Sequence, residues 1–152
     1  MIEVHPLTRA DFDRVDAALP LHRFTTWDES STYLVAWDRG TPVGHANVAW
    51  TGTELGLPEL QDVYVVPGRR NQGIATVLTA AAERLAAKRG HRRCSLSVSE
   101  GNVAARRLYE RLGYRRADLP PKRVHGTITV RGEPFEVDDT LLYFTKSLAE
   151  GT

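Results

Sequence analysis

Apolar residues along the chain switch between two spacings, and each switch marks a new element. Ile2 and Val4 alternate with polar neighbours as in a short strand. Thr8 followed by Asp11 is a capping-box signal for a helix with Phe12, Val15 and Leu19 on one face, stopped at Pro20. Residues 21–31 read as irregular or weakly helical, anchored by Phe24 and Trp27. Residues 33–37 and 42–50 flank a turn at Asp38, Arg39 and Gly40, the pattern of a strand hairpin. After a glycine-rich link at 52–56, residues 60–66 form a fourth strand of β-branched and aromatic residues, ended by Pro67 and Gly68. The period then becomes helical, with Ile74, Val77, Leu78, Ala81 and Leu85 on one stripe. Lys88 and Arg89 suit the negative end of that helix, and Gly90 is its left-handed stop. Residues 94–98 are a fifth strand, Asn102 caps a helix bearing Ala105, Leu108 and Leu112, and Gly113 closes it. A sixth strand starts at 114–117, residues 118–124 are proline-rich and loop-like, 127–130 and 135–137 flank Arg131 and Gly132 as a hairpin, and 141–145 is the last strand.

At 152 residues, 41% hydrophobic and 26% charged, the chain has the length and composition of one self-sufficient core. Disordered, collagenous and low-complexity classes are excluded. The lone Cys94 allows no internal disulfide and no cysteine-rich zinc site. The histidines at 5, 22, 45, 91 and 125 lack H-x-x-x-H or H-E-x-x-H spacing, so no metal is expected. No apolar run approaches the roughly 20 residues of a membrane span, and the first residues lack a basic region followed by an apolar stretch. The expectation is a soluble, cytoplasmic protein. Charge changes the picture most, because a net charge of +1 divides into −6 over residues 1–67, +10 over 68–123 and −3 over 124–152. The middle of the chain is suited to an anion, either a phosphorylated cofactor or a nucleic-acid backbone, unless its arginines only solvate helix faces.

The chemistry centres on the junction of the fourth strand with the helix after it: Val65, Val66, Pro67, Gly68, Arg69, Arg70, Asn71, Gln72, Gly73, Ile74, Ala75. A helix start exposes unpaired N–H groups and about half a positive charge, so it holds an anion wherever the chain permits close approach. Gly73 and Ala75 permit it, and Arg69 or Arg70 adds a charge-assisted donor. The segment is neither G-x-x-x-x-G-K-[ST] nor G-x-G-x-x-G. Alone, R-x-x-G-x-A is equally a helix start with a packing glycine. A second unit follows it, with Asn102, Ala105, Leu108, Tyr109, Gly113 and Tyr114 in the pattern N-x-x-A-x-x-L-Y-x-x-x-G-Y.

With both motifs in place, the sequence resembles the GNAT superfamily of acyl-coenzyme A dependent N-acyltransferases. The resemblance runs from about residue 2 to 148, with its specific motifs within 60–116; Ala75 stands where many members have glycine. It implies one α/β (α+β) domain over residues 1–148 with a C-terminal tail at 149–152. The mixed central sheet has six to seven strands flanked by helices, and its fourth and fifth strands splay apart. It also implies acetyl-coenzyme A as co-substrate. The diphosphate would lie on the loop from Arg69 through Arg70, Asn71, Gln72 and Gly73 to Ile74 and Ala75, and the pantetheine arm along Val63 and Val65, with Asn102 beside it. Backbone N–H groups near Val63 would polarise the thioester carbonyl.

Acetyl transfer to nitrogen needs a neutral amine, and a free alkyl amine, with a pKa of about 10.4, must first lose a proton, usually to a carboxylate. Glu59 and Asp62 are the candidates. The resemblance places Glu59 where histone-modifying members carry a glutamate base, while on a regular strand side chains three apart face opposite ways, so at most one of the two meets the acceptor. The leaving thiolate needs an acid, and Tyr109 matches the family's tyrosine. The acidic residues Asp28, Glu29, Glu133, Glu136, Asp138 and Asp139 lie in the segments that build acceptor pockets in the family. They point to a cationic small-molecule or peptide amine. The rival reading is a non-catalytic acyl-coenzyme A sensor or a basic nucleic-acid-binding module. Membrane and nucleic-acid partners are not expected from the favoured reading, and a homodimer is compatible with it.

Overall fold

The computed structural model describes residues 1–19, 21, 24, 26–130 and 133–148. Pro20, His22, the pair Arg131 and Gly132 on which the turn is expected, and residues 149–152 lie outside the described residues. The elements run β1 (Ile2–Pro6), α1 (Phe12–Ala18), β2 (Ser31–Asp38), β3 (Thr41–Ala49), β4 (Glu59–Val65), α2 (Ile74–Lys88), β5 (Arg93–Ser99), α3 (Val103–Arg111), β6 (Arg115–Arg116), β7 (Lys122–Val130) and β8 (Glu133–Ser147). The eight strands form one sheet in the order β1-β2-β3-β4-β5-β8-β6, with β7 paired to β8.

Local chemistry accounts for the expected pieces. Arg39 and Gly40, at φ 51 and 80, make the two-residue turn between β2 and β3, the twist that a tight hairpin requires. The N–H of Asp11 donates to Thr8 Oγ1 at 3.2 Å, so the capping signal is realised one turn before α1. Asn102 Oδ1 accepts from the Ala105 N–H at 3.1 Å and starts α3.

The larger core lies between the sheet and α2, where Leu34, Val43, Val48, Leu60, Ile74 and Leu78 are buried together. The deepest stripe of α2 is Ile74, Leu78, Ala82 and Ala86, with Val77, Ala81 and Leu85 flanking it. Small side chains on that stripe let the helix lie close to β3. Gly44 on β3 makes the approach possible, since a Cβ there would stand 2.7 Å from the Tyr64 carbonyl oxygen and 3.2 Å from Leu78. A smaller core packs α1 on the opposite sheet face through Val15, Leu19, Leu21, Tyr33 and Val35.

Two departures from the sequence expectation matter. The segments 135–137 and 141–145 are one continuous strand, β8, and residues 122–124, expected as loop, open β7. Polar residues 138–140 do not break β8, because β7 supplies a ladder partner at each of them. The second departure is in β4. Asn47 pairs with Gln61 and His45 with Tyr64, so Ala46 alone spans Asp62 and Val63, and β4 carries a bulge. Asp62 sits there at φ 51, a left-handed conformation that costs an L-residue about 1 to 2 kcal/mol.

Candidate active site

β4 and β5 pair in parallel only at Glu59 with Ser95 and Leu60 with Leu96. Beyond those pairs the strands part, as expected, and the gap opens two clefts that meet across Val63, Ala105 and Tyr109.

The first cleft, about 740 Å³, lies between the end of β4 with the start of α2 on one side and α3 on the other. It brings together Val63, Val65, Arg69, Arg70, Asn71, Gly73, Ile74 and Ala75 from the residues read in sequence. Gln72 turns away to accept from Arg69 Nε at 2.9 Å, and Asn102 lines the other cleft while capping α3. The floor is amide-rich. The first intrahelical bond of α2 runs from the Val77 N–H to the Gly73 carbonyl, so the N–H groups of residues 74–76 have no acceptor within the helix. Gly73, at φ 83, sets the helix start, and a Cβ there would meet nothing within 4 Å. The cradle is open to a ligand that approaches the backbone, which suits a diphosphate.

The two loop arginines are already engaged. Arg69 pairs with Asp38 at 2.8 Å, which holds the Asp38 carboxyl below its usual range, and Arg70 donates to the Val65 carbonyl at 2.9 Å while lying over the Tyr64 ring. The facing wall supplies two guanidinium groups that sequence reading did not single out, Arg107 and Arg111. Their spacing of four residues on α3 was the available signal.

The second cleft, about 530 Å³, is lined by Glu59, Asp62 and Asp139 and by no Lys or Arg. Glu59 and Asp62 both reach it. The expectation that at most one could do so required a regular strand, and the bulge turns Asp62 onto the same side as Glu59. Glu59 is 7% exposed, with Oε2 accepting from Gln61 Nε2 at 2.6 Å; Gln61 in turn is reached by Asn47. Asp62 Oδ2 accepts from the Tyr33 hydroxyl at 2.9 Å and lies 3.8 Å from Nδ1 of the buried His45. Asp139 accepts from Ser99 Oγ, while Asp138 points to the other face of the β7–β8 ribbon and pairs with Arg123. His45 and Tyr33 escaped the sequence reading because an alternating strand run is equally plain core.

Tyr109 stands where the clefts join. Its ring is buried and packs edge-on against Tyr114 at 5.8 Å, and its phenol bonds to Thr79 of α2. Burial pushes that phenol above its ordinary range, with Thr79 acting the other way, so it holds its proton at neutral pH. Cys94 lies outside both clefts, buried against Tyr114 at 3.3 Å, with its thiol pushed up by burial. Among the described residues no group of three or more His, Cys, Asp or Glu could hold a metal ion, and no helix is long and apolar enough to cross a membrane.

The sheet thus opens where its parallel pair parts, with one amide-rich cleft, one carboxylate-lined cleft and a phenol-bearing residue between them. The model of the acetyltransferase (GNAT) family matches residues 1–114, and the chain belongs to that family. A mycothiol acetyltransferase from Salinispora arenicola is 37% identical over 107 residues, covering 66% of this chain and 34% of that protein. A streptothricin acetyltransferase from Streptomyces lavendulae is 30% identical over 99 residues, covering 65% of this chain and 52% of that one. The chain thus spans about a third to a half of the length of these curated relatives. The fold matches the ribosomal-protein-S18-alanine N-acetyltransferase from Escherichia coli with a TM-score of 0.71 at 19% identity, over 100% of this chain and 97% of that one. It also matches a GNAT family acetyltransferase from Elizabethkingia anophelis with acetyl-coenzyme A bound, TM-score 0.68 at 18% identity, over 97% and 98% of the two chains.

Proposed function

We infer that this protein transfers the acetyl group of acetyl-coenzyme A to a primary amine of a small molecule or peptide, by direct attack in a ternary complex. The observation that carries this reading is the position of Tyr109 in the lining of both clefts. The amide floor of residues 74–76, with Arg107 and Arg111 facing it, suits the diphosphate end of the donor. The arm then follows β4 past Val65 to Val63, where the strand has no β5 partner, and a backbone N–H there polarises the thioester carbonyl.

The acceptor enters through the other cleft. Its nitrogen forms the new C–N bond, a carboxylate takes the amine proton, and the C–S bond breaks as the Tyr109 hydroxyl protonates the departing sulfur. Glu59, Asp62 and Asp139, with no basic side chain in the same lining, favour a cationic amine over an anionic one. The naming of a streptothricin acetyltransferase among the relatives agrees with a small-molecule acceptor. The test is coenzyme A release from acetyl-coenzyme A in the presence of spermidine, lysine methyl ester, phenethylamine, glutamate and a tripeptide with a free N-terminus. Turnover of the cationic members is expected. Tight binding of nucleic acid with no affinity for acetyl-coenzyme A by calorimetry would overturn the reading.

A further inference from the structure

The acceptor cleft contains a constellation that the acetyl-transfer reading does not by itself require. Asp62 occupies the bulge residue of β4 in a left-handed backbone conformation, next to Val63 at the meeting point of the two clefts. Its Oδ2 is gripped by the Tyr33 hydroxyl from β2 at 2.9 Å and faces Nδ1 of His45 from β3 at 3.8 Å. His45 is 0% exposed and is itself fixed by rings on two sides, stacked on Tyr64 at 5.5 Å and meeting Tyr33 edge-on at 5.8 Å. Side chains from two neighbouring strands therefore converge on one carboxylate oxygen of Asp62, a residue in the lining of the cleft. Glu59 differs. It lies at the closed end of the gap, where β4 and β5 are still paired, and Gln61 holds its Oε2. Strained backbone that brings a side chain held by two neighbours to a junction of two clefts is the pattern of a functional position.

We propose that Asp62 is the carboxylate that takes the proton from the acceptor amine, and that Tyr33 and His45 are its positioning residues. The step balances as acetyl transfer does. The amine nitrogen's pair forms the C–N bond, its proton passes to Asp62 Oδ1, the C–S pair leaves with sulfur, and the Tyr109 proton neutralises it; solvent then resets both groups. Tyr33 holds the carboxylate in one rotamer, and His45 packs beside the oxygen that Tyr33 holds. The titratable and charged groups around Asp62 are Tyr33 from β2, His45 from β3, Glu59 and Tyr64 from β4, Arg70 over Tyr64, and Asp139, Tyr143 and Tyr109 across the cleft. This assignment rests on the acetyl-transfer reading, and the experiment separates the two.

Wild type and variants are compared for coenzyme A release with the best amine of the panel above, or with water as acceptor if none is used. Circular dichroism and acetyl-coenzyme A calorimetry on each variant check that fold and donor site persist. Asp62→Asn should lower kcat by about 100-fold or more, and Glu59→Gln by less than about 10-fold. Asp62→Gly, which keeps the left-handed backbone, should regain activity with added formate. Tyr33→Phe keeps the ring and removes the donor; it should lower kcat about 5- to 20-fold with KM little changed. In the Asp62→Asn background the same change should cost nothing further, and a purely structural Tyr33 would not behave so. Full activity of Asp62→Asn, or additive losses in the double variant, overturns the assignment while leaving acetyl transfer standing. Absence of thiol release from wild type with every amine and with water overturns both.

Discussion

The two clefts are built by different means. The cleft proposed for the donor is assembled from two short stretches of chain, 63–76 and 104–111, and what it offers is mostly backbone: a helix start, a left-handed glycine and an unpaired strand edge. The cleft proposed for the acceptor is assembled from side chains on β4, β5, α3 and β8, which come together only when the sheet closes. A backbone site depends on conformation and tolerates exchange of most side chains, whereas a side-chain site depends on which residues the fold happens to juxtapose. The first should therefore be sensitive to backbone change and to charge removal in small steps, the second to single polar atoms.

The sharpest probe is Tyr109, which of the three residues both clefts share is the one with a hydroxyl. Tyr109→Phe should lower the rate of acetyl transfer by about 10- to 1,000-fold with acetyl-coenzyme A affinity within a few-fold, measured by steady-state kinetics and calorimetry. Equal loss of affinity would show that the phenol belongs to the donor grip rather than to the junction. Next comes the glycine at the donor floor. Gly73→Val places a branched side chain at φ 83 and into open cleft space, and acetyl-coenzyme A should bind about 10- to 100-fold more weakly while the strained backbone lowers the melting temperature by about 2 to 8 °C. On the acceptor side, Asp139→Asn should raise KM for a cationic amine about 3- to 10-fold with kcat preserved, the signature of lost uniform binding. Asp138→Asn, on the far face of the ribbon, should do neither. Arg107→Ala and Arg111→Ala are exposed charges and should each weaken the donor about 2- to 5-fold, a difference that shrinks at high salt.

The smallest effect tests a place outside both clefts. Cys94→Ala should leave turnover within about twofold, because the thiol is buried away from the reacting groups. Its signature lies in stability at high pH. Burial pushes the Cys94 thiol and the Tyr109 and Tyr114 phenols up, so the folded chain keeps protons that the unfolded chain releases. That stability is complete below about pH 8.5, the ordinary thiol value, and drains as pH rises through it and past about 10, where the unfolded tyrosines titrate. Melting temperatures between pH 8 and 11 should fall with pH, and Cys94→Ala should remove the earliest part of the fall.

How far the sequence carried differs between the clefts for a physical reason. Ile74, Leu78 and the stop at Gly90 announce α2, and the cap at Asn102 announces α3, because period and capping are local properties of a few consecutive residues. The loop from Arg69 to Ala75, proposed for the donor, is legible on the same ground: a run of unpaired N–H groups at a helix start is written in consecutive letters. Arg107 and Arg111 needed the fold to show which face of α3 looks across the cleft. On the acceptor side, alternation along β4 predicted that Glu59 and Asp62 point apart, and it failed because the bulge against Ala46 arises from pairing with β3, which no property of residues 59–65 announces. The same holds for β8, whose polar centre at 138–140 survives as strand only because β7 pairs with it. Local conformation and the backbone anion cradle were thus determined by the sequence itself. Which carboxylate turns inward, what steadies it from Tyr33 and His45, and where Tyr109 stands between two clefts were decided by tertiary pairing, since each depends on contacts between residues 17 to 40 positions apart.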